Sequence, residues 1–217
     1  ESAFLMQLVA RAYGSPNIHN CSFYCHNASS VALADIYGSG TASVTLDDLG
    51  CTDLVLLAGA NPASNHPRLM TALIHLRRRG GKVIVINPIR ELGLQRFRLP
   101  SDARSLVAGS QVSDVYLQSR IGGDIAVFTA LLKLARWDEG FVDAHTSGAE
   151  AVRAHLDGFD LDLLARSARV EVADLKLAAD LINAAGSGIF MWSMGLTHHQ
   201  HGTDNIRALG NLALARG

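Results

Sequence analysis

The chain has 217 residues, 48% of them hydrophobic and 18% charged, with a formal net charge of -1 at neutral pH. That composition supports a packed core, and with no dense Lys/Arg stripe carrying interleaved aromatics it speaks against a disordered protein or a nucleic-acid binder. Three cysteines do not make a disulfide framework and no apolar run reaches the ~20 residues that span a bilayer, so the expectation is a reducing, cytoplasmic setting without a membrane span.

In chain order, Ser2 to Tyr13 has helical spacing of apolar side chains, and Gly14-Ser15-Pro16 ends that element. The stretch Asn20-Cys21-Ser22-Phe23-Tyr24-Cys25-His26-Asn27-Ala28-Ser29-Ser30 then puts two thiols, an imidazole and several short polar side chains on one turn-prone segment. A helix-capable run follows from Val31 to Ile36, with Ser29 or Ser30 expected to cap it. A thiol just ahead of a helix lies near the positive end of the backbone dipole, which favours thiolate, the form that attacks electrophiles and binds metals. Cys25 is the first candidate on that ground, set against the plain alternative of a buried apolar thiol. Cys-x3-Cys-His is one residue too long for haem attachment and lacks the second ligand pair of a zinc ribbon.

After the break at Gly38-Ser39-Gly40, Asp53 to Gly59 is a continuous apolar run, the signature of a strand buried on both faces. Arg68 to Arg79 reads as a helix closed by Gly80-Gly81, with Arg77-Arg78-Arg79 as its solvated end, and Lys82 to Asn87 as a second buried strand. Strand, helix, strand at this spacing is a βαβ unit with parallel strands. Phe97 to Gln111 reads as irregular, and Val115 to Leu117 as a short strand. Gly122-Gly123-Asp124 opens a helix from Ile125 to Arg136. Further helices are expected from Glu150, over Asp160 to Ala168, over Val172 to Ala185 and over Thr203 to Ala215, with a last strand at Ser187 to Trp192. The fold class is α/β, a parallel sheet with helices on both faces, in one domain over 1–217. The abrupt start at Glu1 and stop at Gly217 read as a piece of a longer polypeptide.

Ligands of such sheets bind at the carboxyl ends of the strands, here the segments Gly59 to His66, Asn87 to Glu91 and Met194 to Gly202, with the Gly122-Gly123-Asp124 helix start beside them. Backbone N–H groups near glycine suit phosphate, and Asp124 can accept from a ribose or guanine donor. No Gly-x-Gly-x-x-Gly follows a strand and no Gly-x4-Gly-Lys-Ser/Thr occurs, which removes the common NAD fingerprint and the P-loop. Asn61-Pro62 and Asn87-Pro88 also have a plain turn reading. His198, His199 and His201 are the zinc candidate, weakened because adjacent histidines point apart on most backbones.

Five motifs in order then carry a resemblance: Cys21-Ser22-Phe23-Tyr24-Cys25-His26, Gly59 to Pro67, Val85 to Glu91, Gly122 to Ala126, and Trp192 to Thr197. Together they resemble the molybdopterin oxidoreductases of the dimethyl-sulfoxide-reductase superfamily, in particular the formate-dehydrogenase-like alpha subunits. The resemblance implies a Rossmann-like central domain of a longer catalytic subunit carrying molybdenum or tungsten on bis(molybdopterin guanine dinucleotide). It also implies a 4Fe-4S cluster elsewhere in that subunit, an electron-transfer partner, and oxidation of formate or a related small substrate. Position by position, Cys25 matches the metal-ligating residue and His26 the neighbour that takes the substrate proton. Gly59, Asn61, Ser64, His66, Asn87, Arg90, Gly122 and Asp124 match positions that line a guanine dinucleotide, and Met194, Gly195 and Thr197 a loop near the pterin. Asn87 and Ile89 stand where many relatives read Asp and Arg, and His198 where formate dehydrogenases often have Gln. The other reading kept from the sequence is a non-catalytic nucleotide-binding or interaction module of the same fold.

Overall fold

Glycine, proline and asparagine punctuation sets the element boundaries of the first half of the chain. In the computed structural model, which describes residues 1–217, helix α1 (Ser2–Ala12) is followed by a short α2 (Cys21–Cys25) and by α3 (Asn27–Tyr37). Gly38 ends α3 with φ of 75°, a conformation that glycine adopts without a Cβ penalty. Strand β1 (Leu54–Ala58) leads to α4 (Pro62–Asn65) and α5 (Pro67–Arg78), both with proline in the first turn, where its missing N–H is not needed. Then come β2 (Lys82–Ile86), α6 (Leu92–Gln95), β3 (Arg96–Phe97), α7 (Ala103–Ala108), β4 (Ser110–Gln111) and β5 (Val115–Leu117). The helical half is α8 (Asp124–Leu134), α9 (Glu139–His145), α10 (Ala149–Asp157), α11 (Leu161–Ala168) and α12 (Val172–Ala184). Strand β6 (Gly188–Trp192), the turn α13 (Met194–Thr197) and α14 (Gly202–Arg216) close the chain.

The main sheet runs β5-β2-β1-β6 and is parallel throughout. Ala58 is in register with Ile86 and Trp192, and Ile86 with Leu117, so all four strands end level along one edge. Alternate side chains of the central strands feed two cores, as a period of two residues requires. Leu54, Leu56, Ala58, Ile84 and Ile86 face a cluster of 28 buried residues built with α3, α8, α11, α12 and α14. Val55, Leu57, Val83 and Val85 face a cluster of 13, where α5 supplies Met70, Leu73, Ile74 and Leu76. Helices therefore cover both faces, and most of the apolar burial, worth about 25 cal/mol per Å² removed from water, lies on the α8 and α14 side.

Several local expectations are corrected. The cysteine segment is helical, because the Asn20 side chain accepts from the Ser22 N–H at 2.8 Å and nucleates a turn. The next helix starts at Asn27, so Ser29 and Ser30 lie inside it, and neither caps it. The stretch 97–111 is organised: β3 and β4 pair antiparallel around α7, whose cap Asp102 accepts from the Ser105 N–H at 2.8 Å. The basic run, exposed at Arg78 and Arg79, is also tied to the fold. Arg77 pairs with Asp114, Arg78 Nη1 reaches Asp102 at 2.6 Å, and Arg79 Nη2 donates to the carbonyls of Leu49 and Thr52 at 2.6 and 2.8 Å. Helix α1 has no buried residue, and Phe4, Leu5, Met6, Leu8 and Val9 are all exposed.

Candidate functional site

At the level strand ends, the turn after β1 meets the turn after β6 backbone to backbone. Gly59, with φ of 57°, donates its N–H to the Ile86 carbonyl at 2.9 Å and accepts from the Gly195 N–H at 3.0 Å. A Cβ on Gly59 would lie 2.8 Å from Gly195 C and Leu196 N, and one on Gly195 would lie 2.6 Å from Gly59 Cα and O. Both glycines are thus required by this contact. Gly59 gives its N–H to Ile86 and Gly195 gives its N–H to Gly59, so both amides are bonded within the protein.

The same β6 turn holds the cysteine helix. Thr197, itself buried, donates its hydroxyl to the Cys25 carbonyl at 2.7 Å, and His198 Nε2 lies 3.0 Å from the Tyr24 carbonyl. Cys25 is half-buried at the end of α2, with His26 between it and α3. Partial burial and then the Cys21 thiol one turn back push the Cys25 thiol above its ordinary value. His26 Nδ1 lies 3.3 Å from Ser29 Oγ, which also accepts from the Trp192 indole at 2.8 Å.

The dinucleotide candidates divide. Asn87 is buried at the end of β2, where its Nδ2 donates to the Ala60 carbonyl at 3.2 Å and its Oδ1 accepts from the Ile89 N–H at 3.1 Å. Arg90 is exposed, donates from Nε to Gln118 Oε1 at 3.2 Å and lies over the Tyr116 ring. Asp124 is only 6% exposed at the first turn of α8. Burial pushes its carboxyl up, while nearby His199 pulls it down by less. Gly122, with φ of 79°, is exposed and has open space where a Cβ would stand. Asn61 is occupied as the cap of α4, accepting from the Ser64 N–H at 3.3 Å, and Ser64 and His66 stand exposed on that turn. Met194 is exposed beside Gly195.

The structure thus brings Cys25, His26, Gly59, Gly195 and Thr197 to one place and Asn87, Arg90, Gly122 and Asp124 to the neighbouring strand ends, with Ser64 and His66 outermost. No group of three or more His, Cys, Asp or Glu side chains is placed to hold a metal ion, and His198 and His201 turn to different partners, Tyr24 and Asp204. Two residues of the edge escaped the sequence reading: Ser29 passed for a helix cap, and Ser119, whose buried Oγ has no partner, was not singled out. Trp192 entered only within a motif, and its half-buried indole needs the acceptor that Ser29 supplies.

Comparison with known proteins gives a consistent result. The family model described as molybdopterin oxidoreductase matches residues 1–217. An uncharacterized oxidoreductase of Mycobacterium tuberculosis (strain ATCC 25618 / H37Rv) is 36% identical over 100% of this chain and 29% of its own length. Protein YdeP of Escherichia coli (strain K12) is 37% identical over 100% of this chain and 31% of its own. Formate dehydrogenase H of the same organism is 27% identical over 100% of this chain and 29% of its own. The chain therefore spans about three-tenths of the length of these curated relatives. Among solved structures, acetylene hydratase from Pelobacter acetylenicus shares the fold, with a TM-score of 0.77, 21% identity, and coverage of 99% of this chain and 27% of that one.

Proposed function

The chain belongs to the molybdopterin oxidoreductase family, and from that premise we propose that it is the molybdopterin guanine dinucleotide-binding domain of a longer, formate-dehydrogenase-like oxidoreductase. The observation that supports the reading best is the seating of Cys25 and His26 on the strand-end edge by Thr197 and His198. The donor set fits the group: a half-buried free thiol, an imidazole beside it, and a buried carboxylate at the neighbouring helix start. Bound there, molybdenum or tungsten on bis(molybdopterin guanine dinucleotide) would supply two-electron redox chemistry.

In this reading the protein does the following. Cys25 offers a soft sulfur ligand to the metal, and its raised thiol is no obstacle because a coordinating thiol is deprotonated outright. His26 holds a proton next to that ligand. Thr197 fixes the Cys25 backbone, and Met194 and Gly195 form the adjoining pterin-side turn. Asp124 supplies a desolvated acceptor for a ribose or guanine donor, with Asn61, Ser64, His66, Asn87, Arg90 and Gly122 along the rest of the dinucleotide. The substrate proposed is formate or a related small molecule, supported by the likeness to formate dehydrogenase H. The remaining domains of the polypeptide would complete the pocket, carry a 4Fe-4S cluster and meet an electron-transfer partner, and the three free thiols suit a cytoplasmic setting. The 217-residue piece alone is expected to be inactive.

The test uses the longer polypeptide and its Cys25→Ser variant. Elemental analysis and acid release should find molybdenum or tungsten together with guanine nucleotide in the parent, and X-ray absorption at the metal edge should lose a sulfur neighbour in the variant. A parent with neither metal nor guanine nucleotide would sink the proposal and leave a non-catalytic interaction module of the same fold.

A further inference from the structure

We propose that Ser29, itself oriented by Trp192, holds His26 in the tautomer that carries its proton on Nε2, so that the resting ring offers a hydrogen-bond donor instead of a base. The inference rests on the reading of the Cys25-His26 turn as the reacting site, and Ser29 and Trp192 act in it as positioning residues. An indole N–H can only donate, so the 2.8 Å contact from Trp192 Nε1 takes a lone pair of Ser29 Oγ. Ser29 is 7% exposed, which leaves water little access to its hydroxyl. That hydroxyl has one proton to place. It makes no bond to the Cys25 carbonyl one turn back, which accepts from Thr197 Oγ1 at 2.7 Å, and besides Trp192 its one partner is His26 Nδ1 at 3.3 Å.

Two arrangements of the Ser29–His26 contact are chemically distinct. If Nδ1 carried the ring proton, Ser29 Oγ would accept from both the indole and the imidazole, and its own buried proton would have no acceptor. If the Ser29 hydroxyl donates to Nδ1, all three groups are satisfied and the ring proton sits on Nε2. The second arrangement makes one more hydrogen bond in a place where an unmade one is costly. No side chain of the protein reaches His26 Nε2, so its N–H is the ring's free polar atom. A ring in this form has no lone pair at Nε2 to receive a proton from a substrate, and direct abstraction there requires the tautomer to change against the Ser29 bond. It suits instead a small substrate or cofactor group bearing an acceptor oxygen, such as a carboxylate.

The test uses the longer polypeptide, prepared without metal or nucleotide. Long-range proton–nitrogen correlation spectra of the labelled imidazoles, with the His26 signals assigned by their loss in His26→Gln, read the tautomer directly. The expected result is an Nε2-protonated His26 in the parent, a mixture of tautomers in Ser29→Ala, and return of the parent pattern in Ser29→Thr. Trp192→Phe should weaken the preference without removing it, and it serves as the second variant if Ser29→Ala does not fold. An Nδ1-protonated His26 in the parent, or an Nε2 form untouched in both Ser29→Ala and Trp192→Phe, overturns the inference. Because no metal or nucleotide enters this measurement, its failure is distinguishable from a failure of the cofactor proposal, which is read from metal and guanine content.

Discussion

Gly59 and Gly195 show how one missing atom sets the geometry of the strand-end edge. An added Cβ at either position falls within 3 Å of the other turn's backbone, which cannot move like a flexible side chain. Gly59→Ala and Gly195→Ala should each lower stability by about 1–3 kcal/mol, read as a lower urea midpoint at unchanged slope. Thr197→Val keeps the shape but removes the donor to the Cys25 carbonyl, at a cost of about 1 kcal/mol. It should also raise the rate at which Cys25 reacts with an alkylating reagent, and an unchanged rate would show that Thr197 does not hold that turn. Asp124 makes a prediction of sign. Its carboxyl is held above the ordinary 3.8 by burial, so the folded state binds its proton more tightly than the unfolded chain does. That contribution is present at low pH and lost as pH rises through the folded-state value, so Asp124→Asn should gain stability relative to the parent on going from acid to neutral pH. Thermal melting of both proteins across that range checks it. The identities of these residues were legible as candidates, and the turn bonds of Asn61 and Asn87 match the plain turn reading, but the contact of Gly59 with Gly195 across 136 residues of chain was not legible.

Among the elements, the β3–α7–β4 excursion and α1 are opposite cases. The excursion is tied to α5 by Asp102, which accepts from Arg78 and from the Ser105 N–H, and these bonds hold its carboxyl down to about 2. A depressed carboxylate stabilises the fold above the ordinary 3.8 and loses that contribution as pH falls toward about 2. Amide exchange across Ala103–Ala108 should therefore quicken, after correction for intrinsic rates, over that acid window in the parent, and Asp102→Asn should be fast throughout. Helix α1 has the spacing of an amphipathic helix and buries none of its residues. Its removal is expected to change the stability of the remainder by no more than about 0.5 kcal/mol, the range of surface changes that touch no special feature. Period and punctuation revealed α1 through its apolar spacing and missed α7, because six residues held by one cap and one ion pair leave no periodic trace.

At the scale of the whole molecule, four parallel strands ending level place every candidate at one edge, and the layer of α8, α12 and α14 beneath them carries most of the core. Phe128, fully buried in α8, is the largest side chain of that layer, and Phe128→Ala should cost about 3–5 kcal/mol by denaturant unfolding. The short apolar runs at 54–58 and 82–86, with a helix between them, already pointed to the α/β class and a parallel sheet through their βαβ spacing, and the ordered motifs pointed to the family. Tertiary structure alone decided what the short polar residues do. Ser29 meets Trp192 across 163 positions and Thr197 meets Cys25 across 172, contacts that periodicity cannot register because they depend on which loops the sheet brings side by side.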